Sequence, residues 1–257
     1  MSKDARQTAI LQRLKADVAV RISALAGEFG VTGETVRRDL DDLAARGLVA
    51  RTYGGAAMRS LAAEPGLAAR AQALIPERQR IAALAAALVS DGDVLMIDAG
   101  STTSHFAEGL ARRNIGLTVI TNSLAVARAL GSVETVGVLL APGDYRFTED
   151  AVYGPETLGF LDRYRADYAF IGAGGFTRHE VSDADAAAAF VKRRMTGRAR
   201  MSYLLADSGK AGMAQFAGVC ALDALDGLVT DAPLEAAMAQ ACAAAGIAVH
   251  VAAEAAA

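Results

Sequence analysis

Few residues of this chain are of the types that build disulfide frameworks or metal centres. Among 257 residues there are two cysteines, three histidines and no tryptophan. Cys220 and Cys242 lack the spacing of metal ligands and have no second pair, so we expect two reduced, buried thiols. His105, His179 and His250 are too scattered to indicate a metal centre. The sequence therefore predicts no metal, no cofactor and no disulfide-stabilised fold.

Long apolar runs are also absent. The N-terminus, Met1-Ser2-Lys3-Asp4, lacks the apolar segment of a signal peptide, and no later run reaches membrane-spanning length. We accordingly expect a cytoplasmic protein with no membrane partner. The composition, with 53% hydrophobic and 21% charged residues, is that of a folded globular protein rather than a disordered one.

Charge is unevenly distributed along the chain. The formal net charge is −3, but residues 1–59 carry ten Lys and Arg against seven Asp and Glu, about +3, which leaves about −6 for the rest. A mildly basic segment before an acidic one fits a DNA-binding module joined to a domain that does not bind DNA. The length suits two domains, each with its own core.

The N-terminal segment has the element order of a winged helix-turn-helix domain. Gly30 closes the second of three helices, and Gly54-Gly55 forms a tight turn between two short strands. The predicted elements are helices at residues 4–14 and 22–29, a third helix from Thr32 to Gly47, and strands at 48–52 and 56–58.

The third helix is amphipathic. The segment that begins at Val31 reads V-T-G-E-T-V-R-R-D-L, and Thr32 is a good N-cap for the helix. Val36, Leu40 and Leu43 recur at i, i+4 and i+7 and form one apolar face. We therefore expect these three side chains to be buried and the opposite face to be free for another partner.

The polar face of this helix carries residues suited to DNA. Glu34 suits the positive end of the helix dipole, and the N-terminal turns of a reading helix contact base edges and phosphates. Neighbouring Arg37 and Arg38 are about 100° apart around the helix, so we expect one near bases and one near the backbone. The hairpin would form a wing that contacts phosphate or the minor groove. The predicted DNA-binding residues are Thr32, Glu34, Thr35, Arg37, Arg38, Arg51, Tyr53, Gly54 and Gly55.

Two other interpretations of the N-terminal segment stay open. A short helix with two arginines is often simply a solvated face, and these helices could also bind a protein instead of DNA. Phosphate contacts make affinity for DNA fall steeply with salt, which distinguishes DNA binding from both alternatives.

Beyond the N-terminal segment, short β-rich runs alternate with helical stretches, as in α/β domains with a mostly parallel sheet. Strands are predicted at 94–98, 117–121, 136–140, 168–171 and 203–206, and helices at 81–89, 104–112, 124–130, 156–164 and 184–199. We therefore predict an α/β protein with three parts: a small winged helix-turn-helix DNA-binding domain at 1–59, a linker at 60–76, and a larger α/β effector-binding sensor domain with a mostly parallel sheet at 77–257.

Polar and glycine-rich loops follow four of the predicted strands, and such folds bind ligands at the carboxyl ends of strands. After the first strand, a glycine and three hydroxyl residues open a helix whose N–H groups can hold a phosphate. Lys210 would supply a cation, and Asp98 and Asn122 would contact sugar hydroxyls. The predicted effector-binding residues are Asp98, Gly100, Ser101, Thr102, Thr103, Thr121, Asn122, Ser123, Gly172, Gly174 and Lys210.

Each of these features also has a structural explanation. The Ser/Thr turn after Gly100 is equally an ordinary helix cap, and Lys210 is equally a surface lysine that follows a turn. Asp183 precedes a long helix, and we expect it to cap that helix rather than to contact a ligand. His105 is expected to pack on its own helix.

Several segments resemble the DeoR family of bacterial transcription regulators. They are V-T-G-E-T-V-R-R-D-L with the following D-D-L-A-A-R-G-L-V-A-R-T-Y-G-G-A, and L-M-I-D-A-G-S-T-T, T-N-S, A-D-Y-A-F-I-G and L-A-D-S-G-K. The resemblance spans nearly the whole chain. It implies a repressor of a carbohydrate or polyol catabolic operon whose C-terminal domain binds a phosphorylated sugar or related metabolite. We expect double-stranded operator DNA as a partner and a homo-oligomer, dimer or tetramer, on repeated half-sites.

An enzyme is the alternative, because the sensor domain of the DeoR family is similar in fold to ribose-5-phosphate isomerase. A sugar isomerase needs a carboxylate base. Where the isomerase family carries its acidic residue after Gly-Ala, this chain has Gly174, which has no side chain. Asp98, Asp183 or Asp207 could substitute in principle, but no spacing requires it. We therefore predict no catalytic residue and no enzymatic activity.

Overall fold

A computed structural model describes residues 2–16, 19–45, 48–52, 54–58 and 66–252. By its internal contacts the chain divides into two compact units, Met1–Ala63 and Glu64–Ala257. Each unit has its own buried core. The sequence-based domain limits and the linker at 60–76 stay predictions. Of that linker, the described residues 66–76 contain one short helix and the start of the next.

The first unit is a winged helix-turn-helix domain, as predicted. Its three strands form an antiparallel sheet in the order β1-β3-β2. The elements are α1 (Lys3–Ala16), β1 (Ala19–Arg21), α2 (Ile22–Phe29), α3 (Gly33–Ala45), β2 (Val49–Thr52) and β3 (Gly55–Met58). The sequence analysis missed β1, because three residues are too few to show the alternation that marks a strand.

The core of this unit confirms the amphipathic pattern of α3. The side chains of Val36, Leu40 and Leu43 have no exposure to solvent, and they pack with Ile10 and Leu14 of α1. Gly30 ends α2 in the left-handed conformation with φ of +63°, which glycine adopts without strain. The apolar side of α3 is therefore fixed against the domain, and its polar side is turned outward.

The second unit is an α/β domain. It is built around a seven-stranded sheet in the order β15-β14-β12-β9-β4-β5-β6, in which every pairing is parallel. In chain order its elements are α4 (Leu67–Ala71), α5 (Ile75–Ala87), β4 (Val94–Ile97), α6 (Ser101–Ala111), β5 (Leu117–Thr121), α7 (Leu124–Leu130), β6 (Val136–Leu140), β7 (Asp144–Arg146), β8 (Ala151–Tyr153), α8 (Pro155–Leu161), β9 (Ala166–Ile171), β10 (Gly175–Phe176), β11 (Glu180–Asp183), α9 (Ala186–Thr196), β12 (Ala199–Leu205), β13 (Ala217–Ala221), β14 (Gly227–Thr230), α10 (Ala236–Ala244) and β15 (Ala248–Val251).

Helices cover both faces of this sheet. Successive strand residues point to opposite faces, so Leu95 and Ile97 join one core and Met96 joins the other. The first core includes Phe106 of α6, and the second includes Met195 of α9. A sheet buried on both faces explains why its central strands read as continuous apolar runs. Within the described ranges, no helix is long and apolar enough to cross a bilayer.

The strand order reverses beside β4. From β4 the chain proceeds to β5 and β6 on one side, and it then returns to the other side of β4 for β9, β12, β14 and β15. Two smaller antiparallel groups accompany the main sheet, the β7–β8 hairpin and the sheet β10-β11-β13. In open α/β sheets the crevice at such a reversal, outside the carboxyl ends of the strands, is where ligands bind.

Candidate DNA-binding and effector-binding sites

The outward face of α3 presents the predicted arginines to solvent. The side chain of Arg38 is 79% exposed and that of Arg37 is 52% exposed. The backbone N–H of Thr35 donates to Thr32 Oγ1 at 3.2 Å, so Thr32 caps the helix as predicted. The two threonine hydroxyls lie 2.9 Å apart. The N-terminal half of α3 therefore offers two cations and two hydroxyl groups on one exposed surface.

Arg37 and Arg38 both reach Glu34 from their different positions around the helix. Nη1 of Arg37 lies 2.5 Å from Glu34 Oε2, and Nε of Arg38 lies 3.7 Å from Glu34 Oε1. Spacings of three and four residues bring side chains together on a helix surface. The assignment of one arginine to bases and the other to the DNA backbone stays a prediction, and the free protein holds both beside one carboxylate.

A buried ion pair fixes the orientation of α3. Nε and Nη2 of Arg6, in α1, lie 2.5 Å and 3.1 Å from the two carboxylate oxygens of Asp39. The residues Arg6 and Asp39 are 8% and 2% exposed. Bidentate pairing gives direction as well as attraction. Sequence analysis missed Asp39 because it follows two exposed arginines, and the available signal was its place in the apolar stripe beside Leu40.

The wing is described only in part. Gly54, with φ of +78°, precedes Gly55, the first residue of β3. A Cβ on Gly55 would lie 2.0 Å from the carbonyl oxygen of Val20. Gly55 is thus required for the close pairing of β3 with β1. Tyr53 lies outside the described residues. Arg51 is in β2, and the described structure does not include its side chain.

In the second unit, the loops that carry the predicted effector residues meet at one edge. They follow β4, β5, β9 and β12, which are parallel neighbours in the sheet. Across the reversal between β4 and β9, the backbone N–H of Gly172 donates to Asp98 Oδ1 at 3.1 Å. From the β12 loop, Lys210 Nζ donates to the carbonyl oxygen of Ala173. The fold therefore brings all four loops together.

A buried lysine links two carboxylates at this edge. Lys192 Nζ, in α9, lies 2.6 Å from Asp98 Oδ2 and 3.2 Å from Asp183 Oδ2. Lys192 is 4% exposed and Asp98 is 1% exposed. Burial raises the pKa of Asp183, but Lys192, the backbone N–H of Asp185 and the charge of Lys210 together outweigh burial, and the pKa is lowered. Burial likewise lowers the pKa of Lys192, and Asp183 and Asp98 reverse this so that it is raised. Asp183 and Lys192 are therefore both charged at neutral pH.

Sequence analysis did not identify Lys192 as part of the site. Its signal is its position, because Lys192 lies four residues after Ala188 and three before Met195 in the buried stripe of α9. A charged residue in an apolar stripe needs a partner, since an unpaired buried charge is costly. The expectation that Asp183 caps α9 is wrong. Asp185 is the cap and accepts from the N–H groups of Ala187 and Ala188.

Some predicted effector residues have hydrogen bonds within the fold. Thr103 Oγ1 donates to the carbonyl oxygens of Asp98 and Gly100, and Thr121 Oγ1 donates to that of Ile97 at 2.7 Å. Ser123 is the N-cap of α7 and accepts from Val126 N at 3.3 Å. These three hydroxyl groups therefore shape the loops, and their contact with an effector stays a prediction.

Other polar atoms at the edge have no hydrogen-bond partner among the described residues. The fully buried Asn122 uses its Nδ2 to donate to Val152 O at 3.0 Å, while its Oδ1 accepts no bond. Oδ2 of the buried Asp207 accepts none either. Gly100, the N-cap residue of α6, has no side chain with which to cap the helix. Buried polar groups almost always have partners, so these two acceptors are positions where water or a ligand can donate.

The β7–β8 hairpin lies against this edge. Val152 N donates to Asn122 O at 2.9 Å. Arg146 pairs with Asp185, the cap of α9, and its guanidinium lies over the ring of Tyr153. The pKa of the Tyr153 hydroxyl is raised, because burial disfavours the phenolate. The tyrosine is therefore neutral at physiological pH and adds no charge to the edge.

Two further sequence expectations concern packing. His105 Nδ1 lies 3.3 Å from Glu108 Oε2 on its own helix, α6. Cys220 and Cys242 are free thiols, as expected, but only Cys242 is fully buried. Burial raises the pKa of the Cys220 thiol to about 11, so this group is not a reactive thiolate.

Comparison with known proteins follows the division of the chain. Residues 6–61 match the model of the DeoR-like helix-turn-helix domain, and residues 74–232 match that of the DeoR C-terminal sensor domain. A solved ribose 5-phosphate isomerase A from Methanocaldococcus jannaschii is 20% identical with a TM-score of 0.39, over 52% of this chain and 53% of that one. A likeness at this level carries no functional conclusion.

Curated relatives match over most of both chains. The glycerol-3-phosphate regulon repressor of Escherichia coli is 30% identical, over 91% of this chain and 92% of its own. The transcriptional repressor GlcR of Bacillus subtilis is 31% identical, over 90% and 89%. The lactose phosphotransferase system repressor of Lactococcus lactis is 33% identical, over 82% and 84%. With both family models in chain order and relatives of this extent, the chain belongs to the DeoR family of transcriptional regulators.

Proposed function

We propose that this protein represses a carbohydrate or polyol catabolic operon, and that a phosphorylated sugar or polyol bound in the second unit relieves repression. One observation carries the proposal: a winged helix-turn-helix with exposed arginines shares a chain with a parallel sheet whose reversal point ends in a polar cluster. The names of two relatives, the glycerol-3-phosphate regulon repressor and the lactose phosphotransferase system repressor, support the same class of target.

The DNA interface is proposed on the N-terminal half of α3. Asp41 and Asp42 make the C-terminal half of α3 acidic, and this half would repel the DNA phosphates. Arg37 and Arg38 are therefore the cations of α3 that we place nearest the duplex. Thr32, Glu34 and Thr35 complete this surface, and Arg51, Tyr53, Gly54 and Gly55 form the proposed wing. Two or more protomers would bind repeated half-sites. A regulator that binds chromosomal DNA acts in the cytoplasm.

The effector is proposed to bind at the carboxyl edge of the sheet. Its phosphate would lie at the N-terminus of α6, and Lys210 would contribute a cation. Because Asp98, Ser101, Thr102 and Asn122 are buried, a ligand can enter only when the surrounding loops move. A ligand that favours the opened arrangement shifts the population toward it, and this is the physical basis proposed for release from DNA.

The proposal excludes a sugar isomerase. A general base acts best with a pKa near the working pH. Asp98 is bonded to Gly172 N–H and paired with Lys192, and the pKa of Asp183 is lowered. Gly174 has no side chain, and a Cβ there would lie 3.0 Å from Gln215 Cγ. Asp183 therefore stays charged rather than accepting a proton, and Asp98 is held by its bonds to Gly172 and Lys192.

The DNA assignment is tested by titrating the full-length protein onto a duplex from its own upstream region at increasing salt. We expect affinity to fall steeply, because phosphate contacts release counterions. Arg38→Ala should weaken binding by roughly fivefold to a hundredfold and leave effector binding unchanged. Arg200→Ala is the control, since its side chain is similarly exposed in the other unit.

The complementary variant is Lys210→Ala, which should weaken binding of a polyol phosphate and preserve binding to DNA without effector. A flat salt response would contradict the DNA assignment. Loss of both functions from either single variant would contradict the separation of the two sites.

A further inference from the structure

The polar atoms at the carboxyl edge of the sheet indicate which chemical class of effector this edge selects. We propose that the edge binds a phosphomonoester whose remaining part is uncharged and rich in hydroxyl groups, and that it rejects ligands with a second anionic group, such as phosphorylated sugar acids. This inference rests on the proposed function, because it concerns the same site.

The first observation is the type of polar atom that lacks a partner. Asn122 Oδ1 and Asp207 Oδ2 are both buried acceptors without a donor among the described residues. A ligand hydroxyl can donate to either atom. A carboxylate or a dianionic phosphate has no proton to donate, so it would leave both acceptors unsatisfied and place an acceptor against an acceptor.

The second observation is the charge at the edge. Three carboxylates, Asp98, Asp183 and Asp207, are accompanied by two ammonium groups, Lys192 and Lys210. Lys192 is not available to a ligand anion, because its Nζ already pairs with Asp98 at 2.6 Å and Asp183 at 3.2 Å and the residue has almost no exposure. An additional anion next to these carboxylates would therefore meet like charge in a buried place, which costs several-fold to many-fold in affinity.

The third observation is that one helix N-terminus here remains available for an anion. Ser123 caps α7 and Asp185 caps α9 with their side chains. The 11-residue helix α6 begins at Ser101, and its N-cap residue, Gly100, has no side chain to cap it. The buried Ser101 and Thr102 lie in its first turn. A single phosphate fits this position, whereas the N-termini of α7 and α9 are already capped by side chains.

The test compares ligands that differ in one group. Full-length protein is titrated by calorimetry with glycerol 3-phosphate and 3-phosphoglycerate, and with glucitol 6-phosphate and 6-phosphogluconate. Within each pair a hydroxymethyl group replaces a carboxylate. We expect at least one polyol phosphate to bind about tenfold or more tightly than its matched acid. Equal affinity, or tighter binding of the acid, overturns the inference while leaving the proposed effector site intact.

Variants test the proposed cause of the selection. Asp207→Asn keeps the shape of the side chain but removes a charge and an acceptor oxygen, so the preference for the polyol phosphate should shrink by at least about threefold. Asp162→Asn is the matched control, because Asp162 forms an exposed pair with Arg194, and its preference should equal that of the wild type. An unchanged preference in Asp207→Asn overturns the inference. Failure of every phosphorylated ligand to bind overturns the proposed function as well.

Discussion

Lys192 shows how one side chain can hold a site together. Its ammonium group is buried between Asp98 and Asp183, on different elements, and Asp98 in turn accepts from the β9 loop. A buried ion pair is not by itself strong evidence for stability, because desolvation opposes the attraction. Removal of one partner is different, since it leaves charges that are buried and uncompensated. The main effect of removing Lys192 is therefore to leave the buried Asp98 and Asp183 carboxylates without a cation.

Lys192→Met should lower the free energy of unfolding at neutral pH by about 3–5 kcal/mol. In the wild type, the lowered pKa of Asp183 contributes stability above its ordinary value of 3.8, and this is lost as pH falls through the lower folded pKa. Without Lys192, burial raises the pKa of the Asp183 carboxyl group. The deficit of the variant should then shrink as pH falls from about 7 to about 5.

Urea unfolding at several pH values measures this effect. Arg200→Met, at an exposed cation, is the control and should change stability by less than about 0.5 kcal/mol. A loss below about 1 kcal/mol in Lys192→Met, or a deficit that does not vary with pH, would contradict the assigned role of the lysine.

At the scale of elements, the sequence predicted the structures with clear periodicity. The helix at 22–29, the helix at 124–130 and the strands at 117–121 and 136–140 have the predicted limits. The missed strands are short: β1 and β7 have three residues each, and β14 and β15 have four each. In these, pairing with a neighbouring strand decides the structure, and local sequence carries little of that information.

The site was predictable to a similar degree. Parallel strands place their following loops at one edge, so the convergence of the Asp98, Asn122, Gly172 and Lys210 loops follows from the fold class. The role of Lys192 does not, because its partners are 94 and nine residues away along the chain. The cap of α9 was assigned to Asp183 instead of Asp185 for the same reason. Both aspartates precede the helix in the sequence, and only their contacts in three dimensions distinguish them.

The helix α4 is tied to the hairpin beside the effector site. Arg70 pairs with Glu149 in the 3-10 turn Phe147–Glu149, and a Cβ on Gly66 would lie 3.1 Å from Thr148 O. The same hairpin contacts Asn122 through Val152. Along the chain, α4 is the first described element after the winged helix-turn-helix unit. Movement at the effector site would therefore reach the chain segment that leads to the DNA-binding unit.

Arg70→Met and Glu149→Gln should each reduce the effect of effector on DNA affinity by at least about twofold. Affinity for DNA alone and for effector alone should change little, because neither residue is placed in either site. The measurement is a DNA titration with and without saturating polyol phosphate. Arg194→Met, which breaks an exposed pair on α9, is the control. If effector changes DNA affinity in both variants as much as in the wild type, the Arg70–Glu149 pair does not transmit the effect.

At the scale of the whole molecule, charge and chemistry are divided between the two units. Residues 1–59 carry about +3 and the remainder about −6. The basic unit is suited to a polyanion, and in the acidic unit we propose one anion position and two acceptors for hydroxyl groups. Under the proposed function, effector and DNA are two ligands of one protein, and each changes the affinity for the other by the same factor.

The most direct measurement of the central claim is the affinity of full-length protein for its own upstream DNA, by fluorescence anisotropy, with and without the polyol phosphate that binds the second unit. We predict that saturating ligand weakens DNA binding by roughly fivefold or more, and that DNA weakens ligand binding by the same factor. Tight DNA binding that is identical with and without bound ligand would contradict the account.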